Sequence, residues 1–137
     1  MPDDPFLPTR PPRRTHETAE FWDGCAAGRL LLPRCDDCHA YIWYPRLFCP
    51  HCSSPRVTYT EVSGTGTVYS FTVVRKGAGA YREFSPYVAA YVELAEGPRV
   101  MTNIVGVPVD QVHVGQAVRV VFDPAGDADA IPRFTPS

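Results

Sequence analysis

The residues most open to chemical reading are four cysteines in the order Cys35-x2-Cys38-x10-Cys49-x2-Cys52. Thiolates at i and i+3 of a tight turn supply two corners of a tetrahedron, and a second such pair supplies the other two. Backbone N–H groups in each turn point at the sulfurs and favour their ionised form. Ten intervening residues are enough for a short hairpin that brings the second turn back to the first. Pro50, within Cys49-Pro50-His51-Cys52, keeps a rubredoxin-like iron site as an alternative, with a redox dithiol as another. Four sulfurs close the shell, whereas a catalytic zinc keeps one position for water or substrate. The expectation is a structural zinc site with Cys35, Cys38, Cys49 and Cys52 as ligands. His39 and His51 each adjoin a cysteine that already takes a position, so both are expected to face solvent. Cys25 reads as a buried free thiol.

Acid–base or nucleophilic machinery is not evident elsewhere. The sequence has no Gly-x-Ser-x-Gly elbow, no Gly-x4-Gly-Lys phosphate loop and no His-x3-His pair. Gly64-Thr65-Gly66 precedes a strand rather than a helix and reads as a turn, not a dinucleotide site. His16 falls near the N-terminal arm and His113 at a turn entry, while Glu83, Glu93 and Asp110 are scattered without evident partners. No catalytic residue is assigned. One segment stands out, the run from Arg75 to Pro86 between two strands, with Arg75, Lys76, Arg82, Tyr81 and Phe84. It reads either as a solvated flexible loop or as a loop that docks on a partner or steers a phosphate-bearing ligand.

The elements that must position these residues follow from pattern. Residues 1–15, with prolines and Arg10, Arg13 and Arg14, suggest an extended arm of the kind ordered against a partner. A short helix is expected over 16–27, capped by Thr15, ended by Gly28, with Phe21, Trp22, Cys25 and Ala26 as its apolar stripe. Arg29–Pro33 and Tyr41–Pro45 read as strands around the first cysteine pair. Beyond them, strands are expected at 56–62, 66–75, 87–95, 98–106, 117–123 and 131–134, jointed by Gly or Pro. The pattern is mainly β, a small barrel or sandwich. It divides as arm (1–15), helix plus ribbon (16–60) and β domain with tail (61–137).

Composition bounds the rest. The 137 residues are 45% hydrophobic and 20% charged, which allows a real core. The formal net charge of −2 lacks the basic field of a nucleic-acid binder, and no basic, aromatic-studded strand face is evident. No run approaches the roughly 20 apolar residues of a membrane span. The acidic, proline-rich start is unlike a signal peptide, so a cytoplasmic location is expected, where paired cysteines bind metal rather than form disulfides.

Several motifs together resemble one family. They are Phe21-Trp22-Asp23-Gly24, Gly28-Arg29-Leu30, Arg34-Cys35-x2-Cys38, Pro45-Arg46 and Cys49-Pro50-x-Cys52. Further along come Gly64-Thr65-Gly66-Thr67-Val68-Tyr69-Ser70, Pro86-Tyr87-x-Ala89-x2-Val92-Glu93-Leu94 and Val114-Gly115-Gln116-x-Val118-x-Val120. This order, over about residues 16–123, is similar to acyl-CoA-associated proteins with a rubredoxin-like zinc ribbon and an OB-fold barrel. His39 departs from the glycine common there after the first cysteine pair. The resemblance implies a five-stranded OB-fold barrel and a heteromeric, non-catalytic accessory subunit. Its partner would be a thiolase-like subunit, as in steroid side-chain aldolases that cleave a β-hydroxyacyl-CoA by a retro-aldol step. The partner would supply the catalytic residues and bind most of the acyl-CoA, with the Arg75–Phe84 loop able to contact CoA or the partner. Partnership with a hot-dog-fold enoyl-CoA hydratase or an acyltransferase is the alternative the same resemblance allows. A nucleic-acid-binding ribbon–OB protein is a further alternative.

Overall fold

A pair of threonines starts the only α-helix among the described residues, which are 5–137 of this computed structural model. The first four residues of the expected arm lie outside them. The Thr15 N–H donates to Thr18 Oγ1 (3.0 Å), and the Thr18 N–H donates back to Thr15 Oγ1 (3.3 Å). This clasp occupies 16–18 with a turn, so the helix α1 is Ala19–Ala26 and shorter than expected. It ends at Gly28, whose φ of +74° suits a residue without a Cβ. Phe21 and Cys25 are buried and Trp22 half-buried, but Ala26 is exposed. Gly24 takes its place on the inner face, where a Cβ would lie 2.7 Å from Leu31 Cγ.

The ribbon is a two-stranded antiparallel sheet, β1 (Leu31–Cys35) with β2 (Val57–Glu61), Cys35 standing opposite Val57. The expected strand at 41–45 reduces to one bridge, Tyr41 with Arg34, followed by an Ile42 N–H bond to Pro33 O (2.9 Å). There the chain bends away to reach the second cysteine turn.

Five further strands close a barrel in the order β3-β4-β5-β7-β6. They are β3 (Thr65–Val74), β4 (Tyr87–Leu94), β5 (Arg99–Ile104), β6 (Ala117–Ala125) and β7 (Asp129–Pro136). The closure pairs β3 with β6 and leaves no long open edge, and the order is that of an OB-fold. Alternation sends Val88, Ala90, Val92 and Leu94 of β4 inward. In β3 the alternation slips, because a bulge between Val68 and Ser70 turns Tyr69 and Ser70 both outward. Gly66 sits where a Cβ would come 2.4 Å from Glu93 O, so only glycine lets β3 lie this close to β4.

Phe21, Cys25, Leu30 and Leu32 join the barrel interior in one apolar cluster with Val92, Val118 and Phe134. Helix and barrel therefore share a core. No helix of the described residues is long and apolar enough to cross a membrane.

Candidate metal centre and its surroundings

Each cysteine pair sits in a turn closed by its own backbone. The His39 N–H donates to Cys35 O (3.0 Å), and the Ser53 N–H donates to Cys49 O (2.8 Å). Both turns end on a left-handed residue, His39 with φ +65° and Ser53 with φ +66°. Such a backbone is unstrained only for glycine, so both side chains sit at some cost. The Arg34 side chain donates from Nε to His39 O (2.9 Å) and stacks its guanidinium over the Tyr41 ring. Asp37 accepts from the Ser54 hydroxyl and Arg56 guanidinium, which ties the first turn to the second.

The four Sγ atoms lie within 4.8 Å of one another. Cys35 and Cys52 sulfurs are 3.5 Å apart, and Cys38 and Cys49 sulfurs 3.6 Å apart. A regular tetrahedron with Zn–S bonds of about 2.3 Å has edges of about 3.8 Å, so the donor set fits the ion. N–H groups aim at the sulfurs as expected: Cys38 N–H at Cys35 Sγ (3.4 Å) and His51 N–H at Cys49 Sγ (3.4 Å). The Cys38 N–H is the main cause of a Cys35 thiol lowered to about 6 from its ordinary 9.0, whereas the neighbouring thiols, Cys35 foremost, push Cys52 up to about 12. All five cysteines are free of disulfides, and Cys35 and Cys49 are buried while Cys38 and Cys52 reach the surface. His39 and His51 are exposed. Four thiolates would hold zinc and fix both turns, with no protein-side position left open for water activation.

Cys25 is fully buried at the helix–barrel junction, and burial pushes its thiol up to about 12. This is an inert packing thiol.

The Arg75–Pro86 segment is ordered, not a free loop. It folds as a 3-10 turn, Gly79–Phe84. Ser85 Oγ accepts from Gly77 N–H (2.6 Å) and donates to Tyr81 O (3.0 Å), drawing the two ends together. Arg75, Lys76, Arg82 and Phe84 are exposed, whereas Tyr81 is half-buried, packs beside Tyr87, and donates its hydroxyl to Pro8 O (2.9 Å).

Sequence reasoning missed three features. The described part of the arm lies on this chain's own barrel, with Leu7 buried. Its backbone meets a buried ion pair, Asp123 with Arg133 (2.7 Å), formed across the β6–β7 hairpin. Asp123 directly after the run Val118–Phe122, and Arg133 within Ala130–Phe134, were the available signal. Glu93, read as unpartnered, bonds Arg99 Nε (2.9 Å), and Arg99 stacks over Tyr69 at 3.8 Å. Finally, the β3–β5 outer face carries two exposed aromatics, Tyr69 and Tyr91, beside Met101, though it is not the basic face that nucleic-acid stacking would need. The cation among them, Arg99, is already paired with Glu93.

Comparison with known proteins places this architecture. Residues 22–58 match the family model "ChsH2, rubredoxin-like zinc ribbon domain", and residues 59–123 match "ChsH2, C-terminal OB-fold domain". A solved structure described as "Ltp2-ChsH2(DUF35) aldolase" superposes with a TM-score of 0.83 at 34% identity, covering 91% of this chain and 98% of that one. A "DUF35 domain-containing scaffold protein" of Methanothermobacter thermautotrophicus is 32% identical over 68% of this chain and 71% of its own length. A "Probable enoyl-CoA hydratase alpha subunit" of Thermomonospora curvata is 35% identical over 92% of this chain, but this chain spans only 39% of that protein's length. The ribbon of four clustered thiols, the closed five-stranded barrel and both domain matches agree, and the chain belongs to the ChsH2 (DUF35) family of zinc-ribbon and OB-fold proteins.

Proposed function

We propose that this chain is a non-catalytic accessory subunit of an acyl-CoA enzyme with a thiolase-like partner. The reaction we assign to the complex is retro-aldol cleavage of a β-hydroxyacyl-CoA, with a steroid side chain as the acyl group. The observation that carries this reading is the end-to-end likeness to the chain described as an Ltp2-ChsH2(DUF35) aldolase. The chemistry within this chain is consistent with it. The four clustered sulfurs close the metal site. Within the complex, the ribbon and barrel support assembly, and the exposed Arg75, Lys76, Arg82 and Phe84, with Tyr81, form the surface that meets the partner or the CoA phosphates.

The hydratase alpha subunit from Thermomonospora curvata supports a second reading, in which the partner is a hot-dog-fold enoyl-CoA hydratase. Co-expression with each partner type separates the two. The first reading expects co-purification with a thiolase-like subunit and acyl-CoA cleavage by the complex, with no turnover by this chain alone. Co-purification only with a hydratase, or turnover by the isolated chain, would overturn it. Within an assembled complex, alanine at Arg75, Lys76 and Arg82 is expected to lower kcat/KM for acyl-CoA by about tenfold at unchanged zinc content. Unchanged assembly and turnover would remove the loop from the account.

A further inference from the structure

The Asp123–Arg133 pair is buried to the last oxygen, with Asp123 at 0% and Arg133 at 5% exposure. Most of what it binds is the backbone of the arm. Phe6 N–H donates to Asp123 Oδ1 (2.8 Å), and Leu7 N–H donates to Asp123 Oδ2 (3.3 Å). From the same cluster, Arg133 Nη2 reaches Pro8 O (3.4 Å), while its Nη1 donates to Asn103 Oδ1 and its Nε to Asp123. Asn103 in turn donates to Val88 O (2.9 Å), so one polar cluster links β4, β5, β6, β7 and the arm.

Pro8 O is the shared point. It accepts from Arg133 on the barrel and from the Tyr81 hydroxyl on the 3-10 turn. Thr9 Oγ1 adds a bond to Pro124 O. Clefts open on both sides of this tie, between Pro8–Arg10 and Gly79–Tyr81 on one side and between Pro5–Thr9 and Arg82–Phe84 on the other. Through Tyr81 the 3-10 turn therefore meets both the arm, at Pro8 O, and the barrel, beside Tyr87 at the start of β4.

We infer that residues 5–9 are a strap that sets the position of the Gly79–Phe84 turn, with Asp123 and Arg133 as its latch and Tyr81 as its link. Burying a paired charge under an arm is costly unless every lone pair and proton finds a partner, and the arm's amides supply those partners. The arm and the ion pair thus satisfy each other. Losing the arm leaves the pair under-bonded and the turn without its link. The inference goes beyond the proposed function and stands whatever the turn contacts.

Amide hydrogen exchange on the full chain tests it. Leu7→Ala removes the arm's apolar anchor without touching the ion pair, and Tyr81→Phe removes only the link. In Leu7→Ala, the amides of residues 6 and 7 and those of Gly77, Tyr81 and Ser85 are expected to exchange roughly fivefold faster or more. Those of Val88–Leu94 in β4 should keep their rates. In Tyr81→Phe the turn amides accelerate and the arm amides do not. The strap is overturned if the turn amides keep wild-type rates in both variants. It is equally overturned if they accelerate in step with β4 instead of with the arm, since a general loss of stability would do that.

Discussion

Ribbon and barrel are held together by different means. Around its cysteine turns the ribbon buries only Cys35, Ile42 and Cys49 with Val57 packed against them, and two of those three are metal ligands. Its Leu32, with Tyr41, Trp43 and Tyr59, packs into the barrel's cluster. The barrel and helix bury a continuous apolar cluster from Phe21 to Phe134. A segment of this size with so small a core depends on the ion, because metal binding and folding are one equilibrium there. The barrel needs no such help. The contrast teaches that the zinc is a replacement for hydrophobic core, placed where the chain is too short to make one.

The strongest way to break the comparison is to remove the metal. Chelation, or Cys49→Ser, is expected to unfold residues 33–57 and to end partner binding, since structural zinc contributes on the order of 10 kcal/mol. Backbone NMR should show ribbon signals collapsing while β3–β7 signals persist. A ribbon that stays folded without metal would refute the dependence. The converse perturbation is Phe134→Ala, at a side chain 1% exposed in the shared core. It should cost about 3–5 kcal/mol by denaturant unfolding and leave zinc stoichiometry unchanged. Loss of zinc together with the barrel would show the two regions to be one unit.

Cys25 sharpens the contrast between thiols. Its folded value of about 12 lies above the ordinary 9.0, because burial penalises the thiolate. The protonated form is thus the one the fold prefers. The stability it lends is complete below pH 9.0 and declines as pH rises toward about 12. Alkylation at pH 8 followed by mass spectrometry should leave Cys25 unmodified until the protein unfolds. Rapid labelling in the native state would contradict its burial. The smallest effect is at the first cysteine turn. His39→Gly should stabilise the ribbon by about 1 kcal/mol, measured as zinc retention against a competing chelator, because it relieves a left-handed φ of +65°. No gain would mean that the His39 side chain compensates for the strain.

The cysteine site was legible because its logic is local: spacing alone fixes two turns and four donors. The strands were legible from β-branched runs punctuated by Gly and Pro, with ends within a residue or two for β3 to β5. β6 and β7 run further than expected, through Ala125 and from Asp129, because the hairpin between them keeps its ladder up to the turn. What sequence reading missed is long-range and polar. Nothing near Phe6 announces that its amide will meet Asp123, 117 positions away. The ordering of the Arg75–Pro86 loop was hidden for a similar reason. Its structure comes from Ser85 folding back on Gly77 and from Tyr81 reaching the arm, not from any periodicity. Ala26 was read onto the buried face by helical period, but Gly24 is the residue close against Leu31.

The most direct test of a closed, structural zinc site is X-ray absorption at the metal edge of the protein as purified. The account predicts zinc with a first shell of four sulfurs at about 2.3 Å and no lighter scatterer. An oxygen or nitrogen neighbour at about 2.0 Å would show an open coordination position and contradict the assignment of chemistry to another chain.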